Sequence, residues 1–194
     1  MPKTSPILAF ALGLSLLGAG CRSPKRVENS FDPPSLMRLN VIEDTGRVVV
    51  ACRVSPIPER LPSEDLVELL RAESSILIEI PKTAIDALGL LTGLERASVW
   101  GASANVAKMD GRLKEALLSA WDRGDTRPMA LLARFPEGAG DLEAKLQAQG
   151  VVPRSVAGSV VTLDADSETL LRFLEMPELL SVSLPRTLEP LQGN

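Results

Sequence analysis

The sequence predicts an α+β fold made of two related units, and three observations lead to that class. Strand-like apolar runs alternate with amphipathic helical segments along the chain. A hydrophobic content of 45% in 194 residues is sufficient to fill a core. Part of the first half also returns in the second half with a constant shift of 85 positions, which places Ile76 on Val161 and Ile85 on Leu170. Either the two halves arose by duplication, which we favour, or two apolar strand–helix–strand units align by chance.

Residues 1–20 are predicted to form a signal peptide rather than part of the fold. After Lys3 comes an apolar run that is too short and too rich in small residues for a membrane span. The run ends in "LLGAGC", which resembles the lipobox of bacterial lipoproteins, although Gly18 stands where that family more often has Leu. The resemblance implies acylation of Cys21, and Arg22 after it implies sorting to the outer membrane of a Gram-negative envelope. The alternatives are an ordinary cleaved signal and an uncleaved anchor.

Residues 21–36 are predicted to be a tether, because they contain three prolines and no apolar period. The N-terminal α+β unit is predicted to follow over 37–104. Its first two runs, "LMRLNVI" and "RVVVACRV", are typical of strands, and "EDTG" between them is typical of a hairpin turn. The unit is therefore expected to open with a β-hairpin.

Further along this unit, Ser63 is predicted to cap a helix. The strand "SILIEI", a helix over 82–91 and a strand over 97–99 are predicted to follow. Compared with the second half, the unit is expected to lack one strand, because only a few residues separate Leu70 from Ile76.

A linker helix is predicted over 105–126. Its apolar residues recur three and four positions apart, which places them on one face. These residues are Leu113, Ala116, Leu117, Ala120 and Trp121. Trp121 and Trp100 are expected to pack in the core or between the units rather than to bind a ligand.

The C-terminal module is predicted over 127–194, in the order strand, helix, strand, strand, helix, strand. Asp141 is expected to cap the first helix, and the second is expected to begin at Asp166 or Ser167 and to bury Phe173. Two helices between four strands predict an antiparallel sheet that is covered on one face, a ferredoxin-like βαββαβ sandwich. Its other face is expected to be left open.

The stretch from Arg127 to Leu188, about a third of the chain, resembles the propeptide and inhibitor family of subtilisin-like serine proteases. Arg134-Phe135 matches the end of that family's first strand, Gly150 matches the stop of its first helix, and Pro177-Glu178-Leu179 matches its last turn. Glu178 stands where Gly is usual. The resemblance implies the same ferredoxin-like fold. Each motif alone is a general device of that fold, so the evidence for the resemblance is the order in which the motifs occur.

Composition excludes several kinds of chemistry. The chain contains no His, so serine triads, Cys–His pairs and His-bearing zinc sites are impossible within it. The formal charge of −4 and the lack of a basic face argue against nucleic acid as a partner. We therefore predict a protein that is not an enzyme and has no cofactor or metal.

Two local sequence patterns could indicate a functional site, a calcium site and a reactive thiol, but each has a simpler structural explanation. Asp164, Asp166 and Glu168 in "DADSE" offer oxygen ligands for calcium, yet they lack the spacing of an EF-hand, so helix capping is the better interpretation. Cys52 alternates with valines, which predicts a buried small side chain rather than a reactive thiol. If Cys21 is acylated, Cys52 has no partner for an intrachain disulfide.

Two functions of different class stay open. We favour a lipid-anchored envelope protein that acts as a structural or protein-interaction module. The alternative, implied by the resemblance, is an inhibitor or propeptide-like chaperone of a subtilisin-like protease. In that family the open sheet face packs on the protease and the segment after the last strand enters the active cleft. The matching cleft segment here is Leu184, Pro185, Arg186, Thr187 and Leu188.

Overall fold

The structure, a computed structural model, describes residues 27–185. The N-terminal part of this range forms four strands, one α-helix and two 3₁₀ helices. In chain order these elements are a first 3₁₀ helix Val27–Ser30, α1 Pro33–Val41, β1 Arg47–Val54, β2 Val67–Arg71, β3 Ser75–Pro81, a second 3₁₀ helix Lys82–Leu90 and β4 Leu94–Ala102.

The C-terminal part of the described range forms four strands and four α-helices. In chain order these are α2 Ser103–Val106, α3 Gly111–Arg123, β5 Met129–Arg134, α4 Leu142–Ala148, β6 Pro153–Ala157, β7 Val160–Ala165, α5 Ser167–Phe173 and β8 Ser181–Ser183. The mixed α+β class and the predicted order from β5 to β8 are confirmed. The two predicted caps are also present, since Asp141 accepts the N–H of Ala144 and Asp166 accepts that of Thr169.

Residues 27–185 contain two antiparallel four-stranded sheets with equivalent strand orders. The N-terminal sheet has the order β2-β3-β1-β4, and the C-terminal sheet has the order β6-β7-β5-β8. In both sheets the first strand of the unit lies centrally between the third and the fourth. The last strand of each unit is therefore an edge strand of its sheet.

The starts of the elements agree with the 85-position shift. β3 begins at Ser75 and β7 at Val160, and the second 3₁₀ helix begins at Lys82 and α5 at Ser167, so the members of each pair start 85 positions apart. Ile76 and Val161, which the shift superposes, are both fully buried. The positions of these elements therefore agree with the correspondence between the two halves that the apolar pattern predicted.

The irregularities of the sheets also correspond. The pairing of β2 with β3 shifts between Glu68 and Leu70, and the pairing of β6 with β7 shifts between Pro153 and Ser155, again 85 positions later. β2 is thus the counterpart of β6, and the prediction that the first unit lacks a strand was wrong. The segment 55–66 instead contains no helix corresponding to α4.

Two predicted elements of the N-terminal unit have the opposite structure. The run "LMRLNVI" belongs to α1 rather than to a hairpin strand, because Asp32 caps a helix with Pro33 and Pro34 in its first turn. The residues after Ser63 form β2 rather than a helix. The Ser63 hydroxyl accepts the N–H of Asp65 in a local turn, and the chain then pairs with β3.

The predicted domain bounds stay predictions, but the structure adds detail at two of them. Residues 27–36 of the predicted tether are mostly helical, with Val27 buried in the N-terminal core. The predicted linker helix corresponds to α3, which buries Leu113 and Leu117 of the predicted stripe. Residues 1–26 and 186–194 lie outside the described range.

The described residues bury two hydrophobic clusters. The first lies on one face of the N-terminal sheet, around Val50, Ile78 and the second 3₁₀ helix. The second cluster joins the other face of that sheet to α3 and to the helix-covered face of the C-terminal sheet. Phe173 is 2% exposed there and meets Phe135 edge to face, with ring centroids 6.2 Å apart, so its predicted burial is confirmed.

Candidate functional site

The C-terminal sheet has one face that no described helix covers. Along β5, Leu131 and Ala133 are buried on the helix side, whereas the alternate residues are exposed or half-buried. The register extends this second face across β7 and β8. We call it the open face, and it consists of Ala130, Leu132, Arg134, Val160, Thr162, Asp164, Ser181 and Ser183.

The equivalent face of the N-terminal sheet is buried. Val49 and Ala51, which alternate with the residues of the first cluster, are fully inaccessible and belong to the second cluster with Leu113 and Leu117 of α3. The same face of an equivalent sheet is therefore covered in the first unit and uncovered in the second.

Polar contacts fasten α3 to the N-terminal sheet. The hydroxyls of Ser74 and Ser75 each donate to the Asp122 carboxylate at 2.5 Å, and the Arg53 guanidinium lies 3.7 Å from it. Burial would raise the pKa of Asp122, but these hydrogen bonds and the guanidinium groups of Arg53 and Arg96 outweigh burial and hold it below its ordinary value. Helix α3 is thus held on the N-terminal sheet by hydrogen bonds and an ion pair as well as by apolar packing.

A cleft of about 780 Å³ continues the open face beyond β8. One wall comes from β5 and β8, and the other from the segment Lys108–Arg112 that leads into α3. This segment runs parallel to β8, with Met109 opposite Val182. The N–H of Asp110 donates to the carbonyl of Val182 at 3.1 Å, and the N–H of Val182 donates to the carbonyl of Lys108 at 2.9 Å. Backbone hydrogen bonds between this segment and β8 therefore form the floor of the cleft.

The cleft is positively charged at its surface. Arg112 and Arg134 are exposed, and neither forms an ion pair with any residue between 27 and 185. Asp110 is occupied as the cap of α3, where it accepts the N–H of Leu113 at 2.7 Å. The Lys108 ammonium donates to the carbonyls of Leu174 and Met176, each at 2.8 Å, and burial lowers its pKa. The two arginines are thus the groups available to a ligand.

The structure places only part of the predicted cleft segment. Leu184 is half-buried and lines the cleft, and Pro185 is exposed immediately after it. The other predicted site residues, Cys21, Arg186, Thr187 and Leu188, lie outside the described range. The contribution of Lys108–Arg112 was missed, although Asp110 before the apolar stripe of α3 was a readable helix-cap signal.

The other patterns singled out in the sequence have structural roles. Asp164 pairs with Arg154 at 2.5 Å, Asp166 caps α5, and Glu168 contacts Arg38, so the carboxylates of "DADSE" do not converge on one point. Cys52 is fully buried, as predicted, and burial raises the pKa of its thiol to about 12.

The two tryptophans pack as predicted. Trp100 is 2% exposed in the second cluster. The Trp121 ring packs against the guanidinium of Arg96, whose carbon lies 4.2 Å from the ring centroid. Among residues 27–185, no group of three or more Asp, Glu or Cys side chains is placed to hold a metal ion, and no helix has the length and apolarity needed to span a bilayer.

Comparison of the chain with protein-family models, with curated proteins and with solved structures found no match.

Proposed function

We propose that the protein is a non-enzymatic, lipid-anchored component of a bacterial cell envelope and binds another protein through the open face. Its C-terminal module is then a ferredoxin-like sandwich, a fold that hosts many unrelated functions, so the proposal depends on the surface rather than on the fold. Acylation of Cys21 would hold the chain at the membrane, and Arg22 favours the outer membrane.

One observation carries the interaction role. The first unit buries the face that contains Val49 and Ala51 under α3 and the second unit, whereas the second unit leaves the equivalent face uncovered within the described residues. The N-terminal unit thus shows that a sheet face of this kind can be covered by packing against other elements. Leu132 supplies an apolar centre and Arg134 a charge at the entrance to the cleft, a combination suited to a protein surface with an acidic rim.

Site-specific photo-crosslinking in cells tests this role. A photoreactive amino acid at Leu132 should crosslink to one discrete protein, and Arg134→Glu should abolish that product by reversing the charge beside it. Two matched controls are available. Arg60→Glu changes an exposed arginine of the N-terminal unit, away from the open face, and a photoreactive group at Val152, between α4 and β6, probes the C-terminal unit elsewhere. The proposal fails if Val152 gives the same product or if both charge reversals act alike.

A second candidate function is inhibition or chaperoning of a subtilisin-like protease. It is supported by the βαββαβ order of β5 to β8 and by the position of Leu184 and Pro185, where the chain leaves β8 beside the cleft. In this function the open face would pack on the protease, and the segment after Leu184 would lie in its active site as an extended strand.

A further inference from the structure

Helix α1 differs from an ordinary surface helix, because its two buried side chains are polar and two of its exposed side chains are apolar. Ser35 and Arg38 are buried on the side that faces the fold. Met37 is 72% exposed and Val41 is 77% exposed, and the two lie four positions apart on the outer side. The contacts that α1 makes with the rest of the fold therefore do not account for the exposure of Met37 and Val41.

The inner side of α1 contacts the N-terminal unit in two ways: Leu39 packs against its hydrophobic cluster, and two polar side chains bind the edge of its sheet. The Ser35 hydroxyl accepts the N–H of Val99 at 2.9 Å, and the Arg38 guanidinium donates to the carbonyl of Val99 at 3.1 Å. Arg38 also contacts the Glu168 carboxylate. These contacts satisfy a backbone edge that would otherwise lack partners. Met37 and Val41 take no part in them.

The outer side of α1 belongs to a continuous apolar surface. We define the α1 patch as Pro33, Pro34, Met37 and Val41, all exposed, which line a shallow recess of about 420 Å³. Arg172 and Glu175 stand at its margin with opposite charges, and Glu168 is engaged by Arg38. The patch is therefore apolar with a margin of little net charge, which suits a zwitterionic lipid surface better than a strongly charged partner.

The position of the patch in the chain favours the bilayer as the surface that covers it. Cys21, the predicted end of the membrane-directed segment, precedes the buried Val27 by six positions. Six residues span at most about 22 Å when fully extended. An acyl anchor on Cys21 would therefore hold Val27 within that distance of the bilayer, and α1 is the first α-helix of the described residues.

We propose that the α1 patch lies against the bilayer surface, with Met37 and Val41 inserted among the lipid headgroups, and so fixes the orientation of the anchored protein. This inference rests on the proposed membrane anchor. Two apolar side chains would not hold a free protein on a membrane, but an anchored chain presents them at a high effective concentration. The patch therefore acts as a second, orienting contact rather than as an anchor.

The test is a depth measurement on the full chain, produced with its leader and reconstituted into phosphatidylcholine vesicles. Met37→Cys is labelled with an environment-sensitive fluorophore, and Val152→Cys, whose parent side chain is 74% exposed, is the matched control. Cys52 is fully buried, so unsubstituted protein treated in the same way provides the labelling blank. Val41→Cys is a second probe in case the first substitution disturbs folding. Nitroxide-labelled lipid reports contact with the bilayer.

The inference is supported if vesicle flotation carries the protein and labels at positions 37 and 41 shift to shorter wavelength and are quenched by the nitroxide lipid, while the label at 152 is not. It is overturned if the protein floats but positions 37, 41 and 152 behave alike. A wavelength shift without quenching by lipid would assign the patch to a protein contact and would also overturn it. Failure to float would instead contradict the proposed anchor, and with it this inference.

Discussion

The Ser35 hydroxyl accepts the backbone N–H of Val99, so a helix side chain completes the outer edge of the N-terminal sheet. The C-terminal sheet is completed in a related way, because Met109 pairs in parallel with Val182 just as Phe31 pairs with Ala97. Ala97 and Val182 are 85 positions apart. In each unit an aspartate then caps the helix that follows. The correspondence of the two units therefore extends to the protection of their edge strands.

Ser35→Ala should destabilise the fold by about 1–3 kcal/mol, because it leaves the buried N–H of Val99 without its acceptor. Ser155→Ala is the matched control. Its hydroxyl pairs with that of Thr162 at 2.7 Å on an exposed strand, and its loss should change stability by less than about 0.5 kcal/mol. Urea unfolding measures both, and equal losses would show that Ser35 does not satisfy the edge.

Phe173→Ala should lower the free energy of unfolding by about 3–5 kcal/mol, since it opens a cavity between α5 and the C-terminal sheet and removes the contact with Phe135. Leu180→Ala, at a side chain that is 58% exposed, should cost far less. A loss below about 1 kcal/mol at Phe173 would contradict its burial.

Asp122 should make the attachment of α3 sensitive to acid. Because its pKa is lowered in the folded state, its contribution to stability is present above its ordinary pKa of 3.8 and is lost as the pH falls through the folded value. Asp122→Asn should therefore be less stable than the parent at pH 7, and this difference should shrink as the pH falls below 3.8. Chemical unfolding at a series of pH values measures it. Asp86→Asn, at an exposed carboxylate, is the control and should change the free energy of unfolding at pH 7 by less than about 0.5 kcal/mol.

Cys21→Ser should abolish metabolic labelling with palmitate and release the protein from the membrane fraction, because the predicted acyl acceptor is removed. Cys52→Ala should retain both labelling and sedimentation, since Cys52 is buried. Unchanged labelling of Cys21→Ser would rule out the lipoprotein proposal.

Reversible inhibition of a subtilisin-like protease would distinguish the second candidate function from the first. If it operates, deleting residues 186–194 should weaken inhibition far more than it lowers the melting temperature. The reason is that the predicted cleft segment then ends at Pro185, while the described core stays complete. Progress curves against several such enzymes, with thermal melts of both proteins, measure this. Digestion of the intact chain, or equal inhibition by both, would leave only the interaction role.

Much of the C-terminal unit could be predicted from the sequence because its signals are local. Asp141 and Asp166 each precede a short amphipathic helix, and the alternation around Leu131 and Leu163 specifies which side of each strand is buried. The burial of Phe173 followed from the apolar face of its helix, and in the N-terminal unit the burial of Cys52 followed from strand alternation. The 85-position shift could also be read from the apolar pattern before any pairing was known.

The N-terminal errors arose where local signals and tertiary pairing disagree. The short run around Leu70 satisfies a helical pattern, but an unpaired edge of β3 lies beside it, and cross-strand hydrogen bonds override the weak helix propensity. In α1 the apolar residues of "LMRLNVI" suggested a strand, whereas the cap at Asp32 and the fit of Ser35 and Arg38 to the edge of β4 stabilise a helix.

The sequence by itself determined the α+β class, the repeated strand pattern and the helix caps of the C-terminal unit, because periodicity and capping depend on a few neighbouring residues. Only the tertiary structure decided which faces of the two sheets are covered. Val49 and Leu132 both alternate with buried residues on central strands, yet α3 and the second unit bury Val49 and leave Leu132 at the open face. That difference depends on how distant segments pack, and the local pattern of either strand does not contain it.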